Sequence, residues 1–158
     1  MIKLVLYSVI FMICFTFQHS YAQSKKAFQL YNNNGKKVSY KKLLKKAYSA
    51  DVVLFGEYHD NPISHWLEFE LAKDLFSKSN VIIGAEMLET DDQQILNEFL
   101  KDKISLSTFD SIANLWPNFE IDYLPVVSFA KENNIPVIAT NIPRKYAKMV
   151  FKNGGFSA

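Results

Sequence analysis

Three short apolar runs, each ending in polar residues, punctuate a chain whose other hydrophobic positions recur at helical spacing. The runs are Val52-Val53-Leu54-Phe55-Gly56, Val81-Ile82-Ile83-Gly84-Ala85 and Pro136-Val137-Ile138-Ala139. Unbroken runs of this length with turn residues at their ends predict strands covered on both faces, the pattern of parallel sheets. Between the first two, Ile63, Leu67, Leu71 and Leu75 form an i+4 stripe widened by Trp66, Phe69, Ala72 and Phe76, which predicts a helix from Pro62 to about Ser79. Asn61 is placed to cap it, with Pro62 in the first turn, where a missing N–H costs nothing. Between the second and third runs, Thr90-x-x-Gln93 has the capping-box pattern ahead of Ile95, Leu96, Phe99 and Leu100. A further helical piece is predicted over 106–114, an aromatic loop at Trp116-Pro117-Asn118-Phe119, and a helix opening at Tyr123-Leu124-Pro125 and stopping at Asn133-Asn134. Strands separated by helical stretches of this length require crossover connections and hence a parallel sheet. The fold class read from the pattern is therefore α/β: a mostly parallel sheet with helices on both faces, preceded by an N-terminal β-hairpin around Asn32-Asn33-Asn34-Gly35.

The N-terminal residues change the domain count. One lysine, an apolar run from Leu4 to Phe17, and Ser20-Tyr21-Ala22 as a small-x-small site predict a signal peptide over 1–22. A 14-residue helix reaches about 21 Å, short of the roughly 30 Å hydrocarbon core of a bilayer. Export is expected, to the periplasm or a membrane-associated position. Residues 23–50 form the hairpin and a lysine-faced helix leading into an α/β domain over 51–158. The single cysteine, Cys14, lies inside the leader, so disulfides and thiolate metal sites are excluded from the mature chain. The net charge of +2 gives no reason to expect a nucleic-acid partner. Six lysines between positions 36 and 46 interleave with Tyr40, Leu43, Leu44, Ala47 and Tyr48, the wet and dry faces of one amphipathic helix.

Candidate chemistry lies where the runs end. In an open α/β sheet the ligand crevice lies beyond the carboxyl ends of the strands. Glu57, Tyr58, His59 and Asp60 end the first run, Glu86 follows Gly84 in the second, and Asn141 and Arg144 follow the third. On an extended chain Glu57 and His59 share a face and Tyr58 opposes them. Glu57, His59 and Glu86 together offer oxygen and nitrogen ligands to a divalent metal, or a base with its orienting partner. A carboxylate in the segment 83–87 is costly to bury alone, and pairing with Arg144 or a metal offsets that cost. Asn141 and Arg144 stand at a helix amino end, which favours an anionic partner; equally, they can cap the strand-to-helix turn. His65, in the first turn of a covered helix, reads as a satisfied structural histidine, and Trp66 and Trp116 as core.

The motifs Leu54-Phe55-Gly56-Glu57-Tyr58-His59-Asp60-Asn61, Gly84-Ala85-Glu86-Met87, Trp116-Pro117 with Asp122-Tyr123-Leu124-Pro125, and Ala139-Thr140-Asn141-Ile142-Pro143-Arg144 resemble, in order and spacing, the ChaN-like haem-binding family of the Tiki superfamily. The likeness covers roughly residues 48–155. It implies an α/β fold and a secreted or membrane-associated haem-binding protein of bacterial iron acquisition, more readily a binding protein than an enzyme. It also implies haem as ligand, a homodimer, and outer-membrane haem-uptake components as partners. By motif position, Tyr123 is the first expectation for the iron ligand and Tyr58 the second. His59 supports, and Asn141 and Arg144 belong to the same polar edge. Axial phenolate is a recognised way of holding ferric haem. Family members continue past this chain's last residue with a second Gly-x-x-His-like segment, so the domain is expected to be incomplete at its C-terminus. The wider superfamily includes metal-dependent hydrolases and peptidases, which keeps a divalent metal on Glu57, His59 and Glu86 as the alternative.

Overall fold

A computed structural model describes residues 26–155. The predicted signal peptide lies outside the described residues. Strands β1 (Leu30–Tyr31) and β2 (Lys37–Val38) pair antiparallel as the expected hairpin. Its turn is closed by the Asn32 side chain, which accepts from the backbone N–H groups of Asn34 and Lys36, and by Gly35 at φ +70°. Helix α1 (Tyr40–Ala47) starts at Ser39, whose hydroxyl accepts from Lys42 N. Its dry face is tied to helix α2 (Pro62–Phe76): the Tyr40 hydroxyl donates to Asp74 Oδ2 at 2.8 Å and the Tyr48 hydroxyl to the Asp74 carbonyl at 3.1 Å. Asn61 caps α2 as its position foretold, accepting from Ile63 N and Ser64 N.

Strands β3 (Ile83–Glu89) and β4 (Val137–Asn141) form a parallel pair, with Ile83 opposite Val137, Ala85 opposite Ala139 and an irregularity before Glu89 meets Asn141. The crossover carries helices α3 (Gln93–Leu100), α4 (Leu106–Ile112) and α5 (Leu124–Glu132), and helix α6 (Arg144–Lys152) follows β4. One face of the pair, Ala85, Met87, Val137 and Ala139, is buried with Leu96 and Phe99 of α3, Phe109 of α4, and Val126, Val127 and Ala130 of α5. The Phe99 and Phe109 rings stack at 4.9 Å, and Phe69 and Phe76 of α2 both meet the edge of Phe129 at 5.7 Å. The other face, with Gly84, Glu86, Ile138 and Thr140, is exposed.

The first apolar run departs from expectation. Residues 52–57 form no strand and join no ladder among the described residues; Val52 is 73% and Leu54 92% exposed. An extended segment becomes a strand only when a neighbouring backbone answers its N–H and C=O groups, and no described strand lies in register with it. The capping box at Thr90 also fails to form, because the Gln93 amide is used elsewhere. Its Nε2 donates to the Val137 carbonyl at 3.0 Å and its Oε1 accepts from Ala139 N at 2.7 Å, so one side chain serves the β4 edge as a missing strand would. No helix among the described residues is long and apolar enough to cross a membrane.

Candidate functional site

Glu57 is the hub of the polar cluster. Its Oε1 accepts from the Tyr123 hydroxyl at 2.6 Å and lies 3.1 Å from His59 Nδ1. The contact with His59 shows that residues 57 and 59 share a face, as expected for extended chain. Its Oε2 faces His65 Nδ1 at 2.5 Å, yet neither atom finds hydrogen-bond geometry there or elsewhere. Glu68, one turn along α2 from His65, brings a second carboxylate within ligand distance of both.

Local backbone structure explains how Tyr123 reaches Glu57. Phe119–Tyr123 forms a single π-helical turn before α5, a wider coil that turns the tyrosine inward. Asn118 anchors this turn, donating from Nδ2 to Asp122 Oδ2 and to the His59 carbonyl, each at 2.8 Å. The Tyr123 ring meets the edges of His65 at 4.7 Å and Trp116 at 5.7 Å and is 0% exposed. Burial, followed by the hydrogen bond to Glu57, pushes its phenol pKa well above the usual value, so the proton is held on oxygen. His59 is different: its ring touches the edge of Trp116 at 4.8 Å but its side chain is mostly exposed. Tyr58, on the opposite face of the chain, is 78% exposed. Burial and the neighbouring Glu57 charge raise the Glu68 carboxyl pKa to about 7.

The remaining expected residues gather elsewhere. Arg144 donates its backbone N–H to Glu89 Oε2 at 2.9 Å and sets its guanidinium 3.6 Å from Glu89 Oε1. Asn141 is the strand partner of Glu89. The buried carboxylate that Arg144 meets is therefore Glu89, not Glu86, and it caps α6 from the end of β3. Glu86 lies on the exposed sheet face and joins no ligand cluster among the described residues. Of the expected metal trio, Glu57 and His59 meet and Glu86 does not. His65 is buried as expected, with Nε2 3.2 Å from the His59 carbonyl, but its Nδ1 has no partner of hydrogen-bond geometry. Sequence reasoning passed over Glu68 and Glu89, and named Asn118 and Asp122 only as motif residues without a role. The His65-x-x-Glu68 spacing, which puts both on one helix face, was the signal available for Glu68.

A family model described as haem-binding uptake, Tiki superfamily, ChaN, matches residues 43–158. The chain belongs to this family. No curated protein matches it. A solved structure titled "Cofacial heme binding to ChaN of Campylobacter jejuni" aligns with 75% of the chain at 24% identity and a TM-score of 0.59, a likeness of fold. The chain spans about half of that protein's length, 50% of it being covered. All four quoted motifs lie within the matched residues. In this ChaN-family chain Tyr58 and His59 are exposed, whereas Tyr123 is sealed in the core.

Proposed function

We propose that this chain is an exported haem-binding protein of bacterial iron acquisition in which Tyr58 supplies the iron-ligating phenolate and His59 stands beside it. The observation that carries this is the contrast between the two tyrosines that the motifs single out. Tyr58 is exposed and stands two residues beyond an exposed apolar stretch, Val52 to Phe55, suited to lie against a porphyrin face. Tyr123 has no exposed surface, and its proton is committed to Glu57. Phenolate is a hard anionic ligand matched to ferric iron, which the bound haem supplies. His59, accessible and oriented through Nδ1 by Glu57, is placed to hydrogen-bond the ligand set or a propionate. Arg144, with its side chain more than half exposed, is available to a propionate carboxylate. A second copy of the chain and outer-membrane haem-uptake components complete the proposed partners, with the periplasm or its membranes as the place of action.

The test is a titration of purified protein with ferric haem, followed in the Soret region. We expect a shifted band saturating near one haem per chain, weakened by at least several-fold in affinity in His59→Ala. A spectrum identical to free haem at stoichiometric wild-type protein would reject the proposal.

A further inference from the structure

The Glu57–His65–Glu68 cluster holds unused ligand capacity that the haem reading does not touch. His65 is 5% exposed, and its Nε2 lies 3.2 Å from the His59 carbonyl, with Asp122 Oδ2 beyond at 3.8 Å. A carbonyl oxygen can only accept, so Nε2 carries the proton and, in the neutral ring, Nδ1 presents its lone pair to the cluster. That lone pair faces Glu57 Oε2, a buried carboxylate oxygen that also lacks a hydrogen-bond partner. Two buried acceptors pressed together repel unless something positive lies between or beside them. An imidazole whose far N–H is fixed by a backbone carbonyl, with its near nitrogen aimed at carboxylates, is the arrangement seen in metal-ligating histidines.

We propose that Glu57 Oε2, His65 Nδ1 and a carboxylate oxygen of Glu68 bind one divalent transition-metal cation that accepts mixed nitrogen and oxygen ligands, such as Zn²⁺ or Mn²⁺. The three ligand atoms lie within 4.8 Å of one another. Bonds of about 2.0–2.2 Å set ligands about 3–4 Å apart, so an ion entering the cluster spreads Glu57 Oε2 and His65 Nδ1 from their 2.5 Å contact and draws in Glu68, which makes no hydrogen bond among the described residues and is partly open to solvent. The Tyr123 hydroxyl and His59 Nδ1 bind the other Glu57 oxygen and hold the carboxylate in place. With three protein ligands, the cation keeps positions open for water. This centre differs from the Glu57, His59, Glu86 trio that spacing alone had indicated.

The experiment is calorimetric titration of chelator-treated, haem-free protein with Zn²⁺, with Co²⁺ as a spectroscopic probe of the same site. Wild type is expected to bind one ion per chain, to show ligand-field bands with Co²⁺, and to melt at a higher temperature when loaded. Glu68→Gln, isosteric and at a partly exposed position, should fold normally by circular dichroism. It should lose more than the roughly 10–100-fold in affinity that removal of a mere supporting group costs. His65→Gln should behave likewise, and Glu86→Gln should bind as wild type. Absence of stoichiometric binding in wild type, unaltered binding in folded Glu68→Gln, or loss of binding in Glu86→Gln would each overturn the site. A haem titration of Glu68→Gln should match wild type, which separates failure of this proposal from failure of the haem reading.

Discussion

Replacing Tyr123 with Phe removes one hydroxyl and leaves the ring contacts with His65 and Trp116 in place. The lost bond is short, 2.6 Å, and runs to a carboxylate oxygen, the charge-assisted kind that contributes about 1.5–3 kcal/mol. Glu57 Oε1 keeps His59 as a partner, so the expected cost is toward the middle of that range, about 2 kcal/mol. With a urea m-value of about 2 kcal/mol/M for a domain of this size, the midpoint falls by about 1 M with unchanged slope. Alkaline conditions give a second reading. The folded phenol pKa is raised above its unfolded value, so its contribution is complete below about pH 10 and is lost as pH rises further. That part of the alkaline destabilisation should be missing in Tyr123→Phe. A midpoint shift below about 0.3 M, or a gain in stability, would refute the view that this hydroxyl is a buried structural donor.

Three further outcomes are expected. In chelator, wild-type stability should fall as pH rises from the unfolded carboxyl value toward 7, because the folded Glu68 pKa is raised to about 7 and the folded chain binds the extra proton; after discounting for its partial exposure the fall is about 1–2 kcal/mol, flattened in Glu68→Gln urea curves. Gln93→Leu should cost about 2 kcal/mol, since it strips Ala139 N–H and the Val137 carbonyl of their partners, and hydrogen exchange at the Ala139 amide should accelerate. Asp74→Ala frees the Tyr40 hydroxyl and should loosen α1 from α2, read as faster exchange of α1 amides with a global loss of about 1 kcal/mol.

Local signals carried the fold well. Asn-Gly marked the hairpin, Ser39 and Asn61 marked helix starts, and Asn134, at φ +55°, marked a helix stop. These depend on a few adjacent residues, so they are legible in one sequence. Tertiary partners were not. The run Val52 to Phe55 has strand composition, but pairing depends on a neighbouring backbone that composition cannot specify. The acid of the second run was misplaced for another reason: β3 extends to Glu89, and alternation with Ala85 and Met87 turns Glu89 inward while Glu86 faces out. At the site, Glu57 with His59 was legible because residues two apart on extended chain share a face. The burial of His65 was foreseeable, whereas the carboxylates facing its Nδ1 were not. Tyr123 was found by its motif, yet whether a tyrosine faces ligand or core was decided by a π-turn with no spacing signature.

The central claim is that the exposed phenol, and not the sealed one, meets haem iron. Resonance Raman spectra of ferric-haem complexes, taken in parallel for Tyr58→Phe and Tyr123→Phe, test it most directly. Iron–phenolate vibrations should vanish in Tyr58→Phe and persist in Tyr123→Phe; the reverse pattern would contradict the account.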